Sequence, residues 1–238
     1  MSEPAGQVRL WVCRIPRDAG GVARLSRVLS EEEWRRAAAI GVPEARRRFV
    51  LARGTVRCVL GGVIDVAPER VRFRYGGRGK PALLGAGSRS VHFNAAHSGG
   101  LVLVAIARDR EVGVDVELVR HVPGGRRIAA RFLPERVCSR LGGASGSFED
   151  EALLRWWTIR EAHAKATGMG IGASRGLLSV TRTVAGLMSV SQSVRAPARW
   201  FGRELRPAAG YVASVFAEGR DWDVSLSWLG DGSVHPAA

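Results

Sequence analysis

With 238 residues, 46% of them hydrophobic, the chain can bury a substantial core in one domain or two small ones, and its composition excludes a disordered polymer. A formal net charge of +14 and an isoelectric point near 11.3 draw anions of any kind: nucleic acid, an acidic membrane surface, a phosphorylated metabolite or an acidic protein. Of the 36 basic residues only Lys80 and Lys165 are lysine; an arginine-rich composition leaves these two either by chance or because a compact ammonium at a phosphate is not cleanly replaced by a guanidinium.

In chain order, residues 8–15 read as a buried strand. This apolar run is short, broken by Arg9 and Arg14 and preceded by Glu3, so it predicts no secretory signal. Ser30 followed by Glu31, Glu32 and Glu33 has the form of a capping box opening a helix to about Ile40. Pro43 suits the first turn of a second helix, with Phe49, Val50, Val56, Val59 and Leu60 as its apolar face and Arg46, Arg47, Arg48, Arg53 and Arg57 around it. Gly61-Gly62 ends or weakens that helix. Val71, Phe73 and Tyr75 alternate with arginine as an edge strand does, and GGRGKPAL reads as a glycine/proline loop holding Lys80.

Residues 91–117, VHFNAAHSGGLVLVAIARDREVGVDVE, are the organising stretch. The pattern predicts a strand, a turn carrying His97 and Ser98, an apolar strand, a hairpin, and a strand ending in Asp115 and Glu117. Residues 119–127 read as a linker, 128–141 as helix interrupted by Pro134, 142–147 as a flexible loop, and 149–167 as the longest helix, stopped by Gly168. Strands are expected over 177–183, 188–194, 211–217 and 223–229. Residues 99–117 overlay 209–227 without a gap, both reading as hairpins of apolar strands, which suggests two similar halves with the acidic pair kept in the first. Their interface is the expected cleft, and the linker near Asp115 and Glu117 puts the pair at the seam. Cys13, Cys58 and Cys138 are odd in number and scattered, so no disulfide framework or metal motif follows and a reducing cytoplasm fits. The apolar run 101–107 is too short to span a bilayer.

Asp115 and Glu117, two apart on a strand, share a face roughly 7 Å apart along the chain. At an effective dielectric near 20 they repel by about 2 kcal/mol, which a cation or basic partner relieves. Taken alone, the pair is equally a solvated strand end. Glu161 and Lys165, one helical turn apart, are by themselves an ordinary surface ion pair. Yet Trp156, Trp157 and Ile159 bury part of that helix, and Glu161 beside the cleft supplies a third oxygen ligand. Three carboxylates make a hard-cation set suited to Mg²⁺, with Lys165 placed to hold a phosphate oxygen.

The segments GKP (79–81), FNAAHS (93–98), GVDVE (113–117) and WTIREAHAKATGMG (157–170), in this order and spacing, resemble the 4′-phosphopantetheinyl transferase superfamily, in its long, Sfp-like monomeric branch. The resemblance implies an α+β fold of two pseudo-two-fold related halves, residues 1–118 and 119–238, with coenzyme A between them. It implies a cytoplasmic monomer that transfers phosphopantetheine, dependent on Mg²⁺, to a serine of an acyl or peptidyl carrier protein and releases adenosine 3′,5′-bisphosphate. By motif position Asp115, Glu117 and Glu161 are the metal ligands, and Glu161 also the base toward the carrier serine. Lys165 holds the diphosphate, His97 the coenzyme 3′-phosphate, Lys80 and Ser98 line the same site, and Arg48 and Arg53 stand where the family places basic coenzyme contacts. Arg160 replaces the motif's first lysine, keeping the charge at a coenzyme-binding position with different reach, and Ala96 replaces the usual serine before the histidine. Carriers of fatty acid, polyketide, nonribosomal peptide and siderophore synthesis all fit, and a segment near Phe132-Leu133 is the expected carrier surface. A metal-dependent phosphodiester hydrolase would use the same carboxylates. A nucleic-acid-binding module would explain the arginine-rich helix but leave the carboxylates unexplained.

Overall fold

The computed structural model describes residues 6–77, 79–85, 90–133, 135–141, 149–170, 179–182, 187–191 and 199–229. The first expected strand is β1 (Gln7–Arg14), and α1 (Ala19–Arg27) follows, its first turn capped by Asp18. The capping box forms at the start of α2 (Glu31–Ala38): Ser30 Oγ accepts from the Glu33 amide at 3.3 Å, and Glu33 Oε2 accepts from the Ser30 amide at 2.9 Å. Pro43 opens α3 (Pro43–Ile64). That helix runs through Gly61-Gly62 and stops at Asp65, whose φ of 53° takes the left-handed conformation.

Strand β2 (Arg72–Tyr75) pairs with β3 (Pro81–Leu84), so part of the expected GGRGKPAL loop is strand. Next come β4 (Val91–Ser98), β5 (Leu101–Arg108) and β6 (Val112–Leu118). His97 and Ser98 end β4 rather than lying in the turn, which falls to Gly99-Gly100. Helix α4 (Gly125–Phe132) begins inside the expected linker, followed by α5 (Glu135–Leu141) and α6 (Asp150–Thr167), which Gly168 stops with a φ of 68°. The described C-terminal strands are β7 (Ser179–Arg182), β8 (Met188–Ser191), β9 (Trp200–Leu205), β10 (Tyr211–Glu218) and β11 (Asp223–Leu229). The expected loop 142–147, with 177–178, 183 and 192–194 of the expected strands, lies outside the described residues.

The two expected hairpins are not hairpins. A four-stranded sheet has the order β11-β1-β5-β4, and a five-stranded sheet the order β6-β10-β9-β8-β7. The chain leaves the first sheet after β5, turns through Asp109 at a φ of 56°, and enters the second as β6. After β10 it makes the opposite switch. Period-two apolarity places a side chain on a face of a sheet but does not say which sheet.

The layers run α3, four-stranded sheet, five-stranded sheet, α6. Val56, Val59 and Leu60 of α3 pack on Trp11, Val102, Val104 and Ile106. Between the sheets lie Val8, Leu10, Val12, Leu103 and Ala105 against Val112, Val114, Val116 and Val215. Ile159, Ala162 and Ala166 of α6 cover Phe216 and Met188. On β6 the valines therefore face the sandwich interior, and Gly113, Asp115 and Glu117 face the other way, toward α6.

Gly113 sets the distance between strand and helix. A Cβ there would fall on the carbonyl oxygen of Ala162 and the backbone nitrogen of Ala166. We predict that Gly113→Ala lowers unfolding stability by at least about 2 kcal/mol in urea melts, because the obstacle is helix backbone. Gly41→Ala, where a Cβ meets nothing within 4 Å, leaves stability within about 0.5 kcal/mol.

Candidate active site

The approach of α6 to β6 puts Glu161 and Lys165 over Asp115. Asp115 and Glu161 are each only 7% exposed. Lys165 Nζ donates to Asp115 Oδ1 at 2.7 Å and to the Val114 carbonyl at 3.2 Å. The other oxygen, Asp115 Oδ2, is buried and accepts no hydrogen bond from the described residues. Burial pushes the Asp115 carboxyl up to about 6; Lys165 opposes this, while Glu161 and Glu117 add to it. Burial likewise raises Glu161, against the pull of Lys165 and Arg160 and with a further push from Glu117. The three carboxylates thus feel one another across the junction of strand and helix. Glu117 Oε2 accepts from Ser98 Oγ at 2.7 Å and from Arg120 at 3.0 Å.

A cavity of about 350 Å³ opens beside them, lined by Gly79, Lys80, Asn94, Glu161, Lys165 and Gly168 among others. His97 stands exposed at the end of β4, its pKa lowered by loss of water on one side and then by Lys165 and Arg48, with Glu117 opposing. Arg48 is therefore within electrostatic reach of the site, although its guanidinium also lies 3.8 Å from Glu44.

Three residues expected to contact coenzyme make bonds within the protein. Arg53 donates to Glu33 Oε1 and to the Tyr75 hydroxyl, both at 2.5 Å, and stacks over Phe73. It belongs to the α2–α3–β2 joint, because buried Glu33 needs cations. Arg160 donates to the Phe132 carbonyl at 2.8 Å and lies over the Phe132 ring, bracing α4 against α6. Lys80 lines the cavity, but its ammonium donates to Glu111 Oε2 at 2.6 Å, the Ala166 carbonyl at 3.0 Å and the Val112 carbonyl at 3.2 Å.

Sequence reasoning passed over the structural parts of Asn94 and Glu111. Asn94 Oδ1 accepts from the Val114 amide at 3.0 Å in a buried setting; its signal was a polar residue inside an apolar strand. A hydrogen bond from His92, then Lys80, holds Glu111 down at about 2.

The donor chemistry fits a hard divalent ion: buried carboxylate oxygens, one of them without any partner. Among the described residues, however, no group of three or more His, Cys, Asp or Glu side chains is assembled as a metal site. Lys165 is bonded to Asp115, and Ser98 and Arg120 to Glu117.

Comparison with known proteins bears on this geometry. The family model of the 4′-phosphopantetheinyl transferase superfamily matches residues 111–216, from β6 through α6 to β10. The chain is 34% identical over 218 residues to 4′-phosphopantetheinyl transferase HetI of Nostoc sp., an alignment that spans 91% of this chain and 90% of the relative. The chain belongs to the 4′-phosphopantetheinyl transferase superfamily. The transferase AcpT of Salmonella typhi is 31% identical over 150 residues, covering 63% of this chain and 73% of AcpT. The Bacillus pumilus transferase psf-1 is 32% identical over 135 residues, covering 57% and 55%. Among the described residues of this transferase no helix is long and apolar enough to cross a membrane.

The raised Asp115 pKa makes a stability prediction. Between about 4 and about 6 the folded chain holds a proton that the unfolded chain has released, so stability falls as pH rises through that window. Without divalent ions the Asp115 contribution amounts to about 3 kcal/mol between its two limits. Denaturant melts at pH 4 and pH 7 are expected to show Asp115→Asn losing that part of the wild-type slope.

Proposed function

We propose that this transferase moves the 4′-phosphopantetheine group of coenzyme A to a serine hydroxyl of an apo acyl or peptidyl carrier protein, with adenosine 3′,5′-bisphosphate leaving. The observation that carries the reading is the buried Asp115–Lys165 pair beside Glu161 at the cavity wall. Lys165 supplies positive charge for a diphosphate. Glu161, whose affinity for protons is raised by burial, takes the proton of the carrier serine, since a base works best when its pKa approaches the working pH. The serine oxygen forms the new bond to phosphorus as the bond to the leaving phosphate breaks. His97 donates an N–H to the coenzyme 3′-phosphate, with Arg48 as a positive neighbour.

Asp115, Glu117 and Glu161 would hold Mg²⁺, and the partnerless Asp115 oxygen supports that assignment. Bound there, the ion would neutralise charge on the diphosphate. The +14 field suits both a polyanionic coenzyme and an acidic carrier. In the same reading residues 1–118 and 119–238 are halves of one duplicated unit acting as a monomer. What supports this is that β5 and β10 each precede a switch to the opposite sheet.

The test is incubation with coenzyme A, Mg²⁺ and an apo carrier protein, followed by mass spectrometry of the carrier. One added phosphopantetheine is expected. Asp115→Ala and Glu161→Ala are each expected to lower transfer by at least about a hundredfold while the circular dichroism spectrum is kept. Transfer at wild-type rate by Asp115→Ala would refute the metal assignment. His97→Ala is expected to raise KM for coenzyme A about tenfold and to lower kcat less, as loss of one charge-assisted contact does.

A further inference from the structure

Among the described residues strand β6 is the edge of the five-stranded sheet, with β10 on one side and no strand on the other. In an antiparallel pair alternate residues turn their N–H and C=O groups toward the partner and the rest turn away. Val114 N–H bonds the side chain of Asn94, so Val112, Val114, Val116 and Leu118 are the outward set. An outward edge sunk inside a protein must find acceptors and donors elsewhere.

Four side chains from three places supply partners for four of these groups. The Val112 carbonyl accepts from Lys80, the Val114 amide donates to Asn94 Oδ1, the Val114 carbonyl accepts from Lys165, and the Leu118 amide donates to Ser98 Oγ. Lys80 also takes the Ala166 carbonyl in the last turn of α6, and Ser98 also donates to Glu117. Asn94 and Ser98 come from β4, in the other sheet, and lie four residues apart, hence on the same side of that strand.

We propose that Lys80, Asn94 and Ser98 are positioning residues for the transfer reaction. They form a side-chain ladder in place of a neighbouring strand, and the ladder fixes Asp115 and Glu117 against α6. Lys80 lines the cavity, but its ammonium, like the Ser98 hydroxyl, acts through β6. Three of the bonds that an ammonium can donate are already made by Lys80. This inference rests on the transferase reading for its kinetic arm and on the fold alone for its structural arm.

Two measurements test it on the full chain. In amide exchange followed by NMR, Val114 and Leu118 are expected to be protected in the wild type. Asn94→Ala speeds Val114, and Ser98→Val speeds Leu118, each at least about tenfold, as loss of one buried hydrogen bond implies. In steady-state transfer, Ser98→Val and Lys80→Met are expected to lower kcat about tenfold or more, with KM for coenzyme A within about twofold of wild type. Ser98→Thr, which has the volume of valine and keeps the hydroxyl, recovers most of the loss. A raised KM at unchanged kcat would make these residues coenzyme ligands and overturn the proposal, as would unaltered exchange at Val114 and Leu118. If Asn94→Ala does not fold, the Ser98 pair decides. A wild type without transferase activity would defeat the functional reading and leave the exchange arm to stand or fall separately.

Discussion

Helix α6 lies in backbone contact with β6, and everything at the candidate site depends on that contact. Only a hydrogen at position 113 lets the Ala162 carbonyl come so close to the strand. One turn of helix is about 5.4 Å and two strand residues about 7 Å, so once the crossing point is set at Gly113 the neighbours fall into place. Glu161 and Lys165 flank Ala162 and Ala166 on the helix, and Asp115 follows Gly113 by two on the strand. The reactive groups are thus placed by the part of the interface that carries no chemistry.

The carboxylates and the long helix were legible in the sequence because their signals are local. Period-two alternation put Asp115 and Glu117 on one face, and Gly168 stopped α6 where a positive φ was needed. Sheet membership was not legible. GGLVLVAIARDREVGVDVE alternates in the same way whether its strands pair together or part at Asp109. Strand β9, WFGREL, escaped notice because its glycine lies under the Phe216 ring and only that ring explains it. Helix α1 has two glycines near its start and a single side-chain cap, Asp18, to mark it.

Arginine and lysine roles were the least readable. Arg53 sits one turn from Arg57, and nothing local says that both turn to Glu33, 20 and 24 residues away. The partners of Lys80 lie 31, 32 and 86 residues on. A basic side chain is long enough to choose among several acceptors, and the choice is made by burial of those acceptors in the finished fold.

That argument also accounts for why lysine survives at only two places in an arginine-rich chain. Both lysines bridge the same two elements: Lys80 joins Val112 of β6 to Ala166 of α6, and Lys165 reaches from α6 to Val114 and Asp115 of β6. Each must direct several bonds from a single nitrogen into a joint already narrowed to backbone contact. A guanidinium spreads its donors over a wide planar fork and would have to push strand and helix apart to fit. The same closeness that Gly113 permits therefore favours a compact ammonium over a wider fork at this joint.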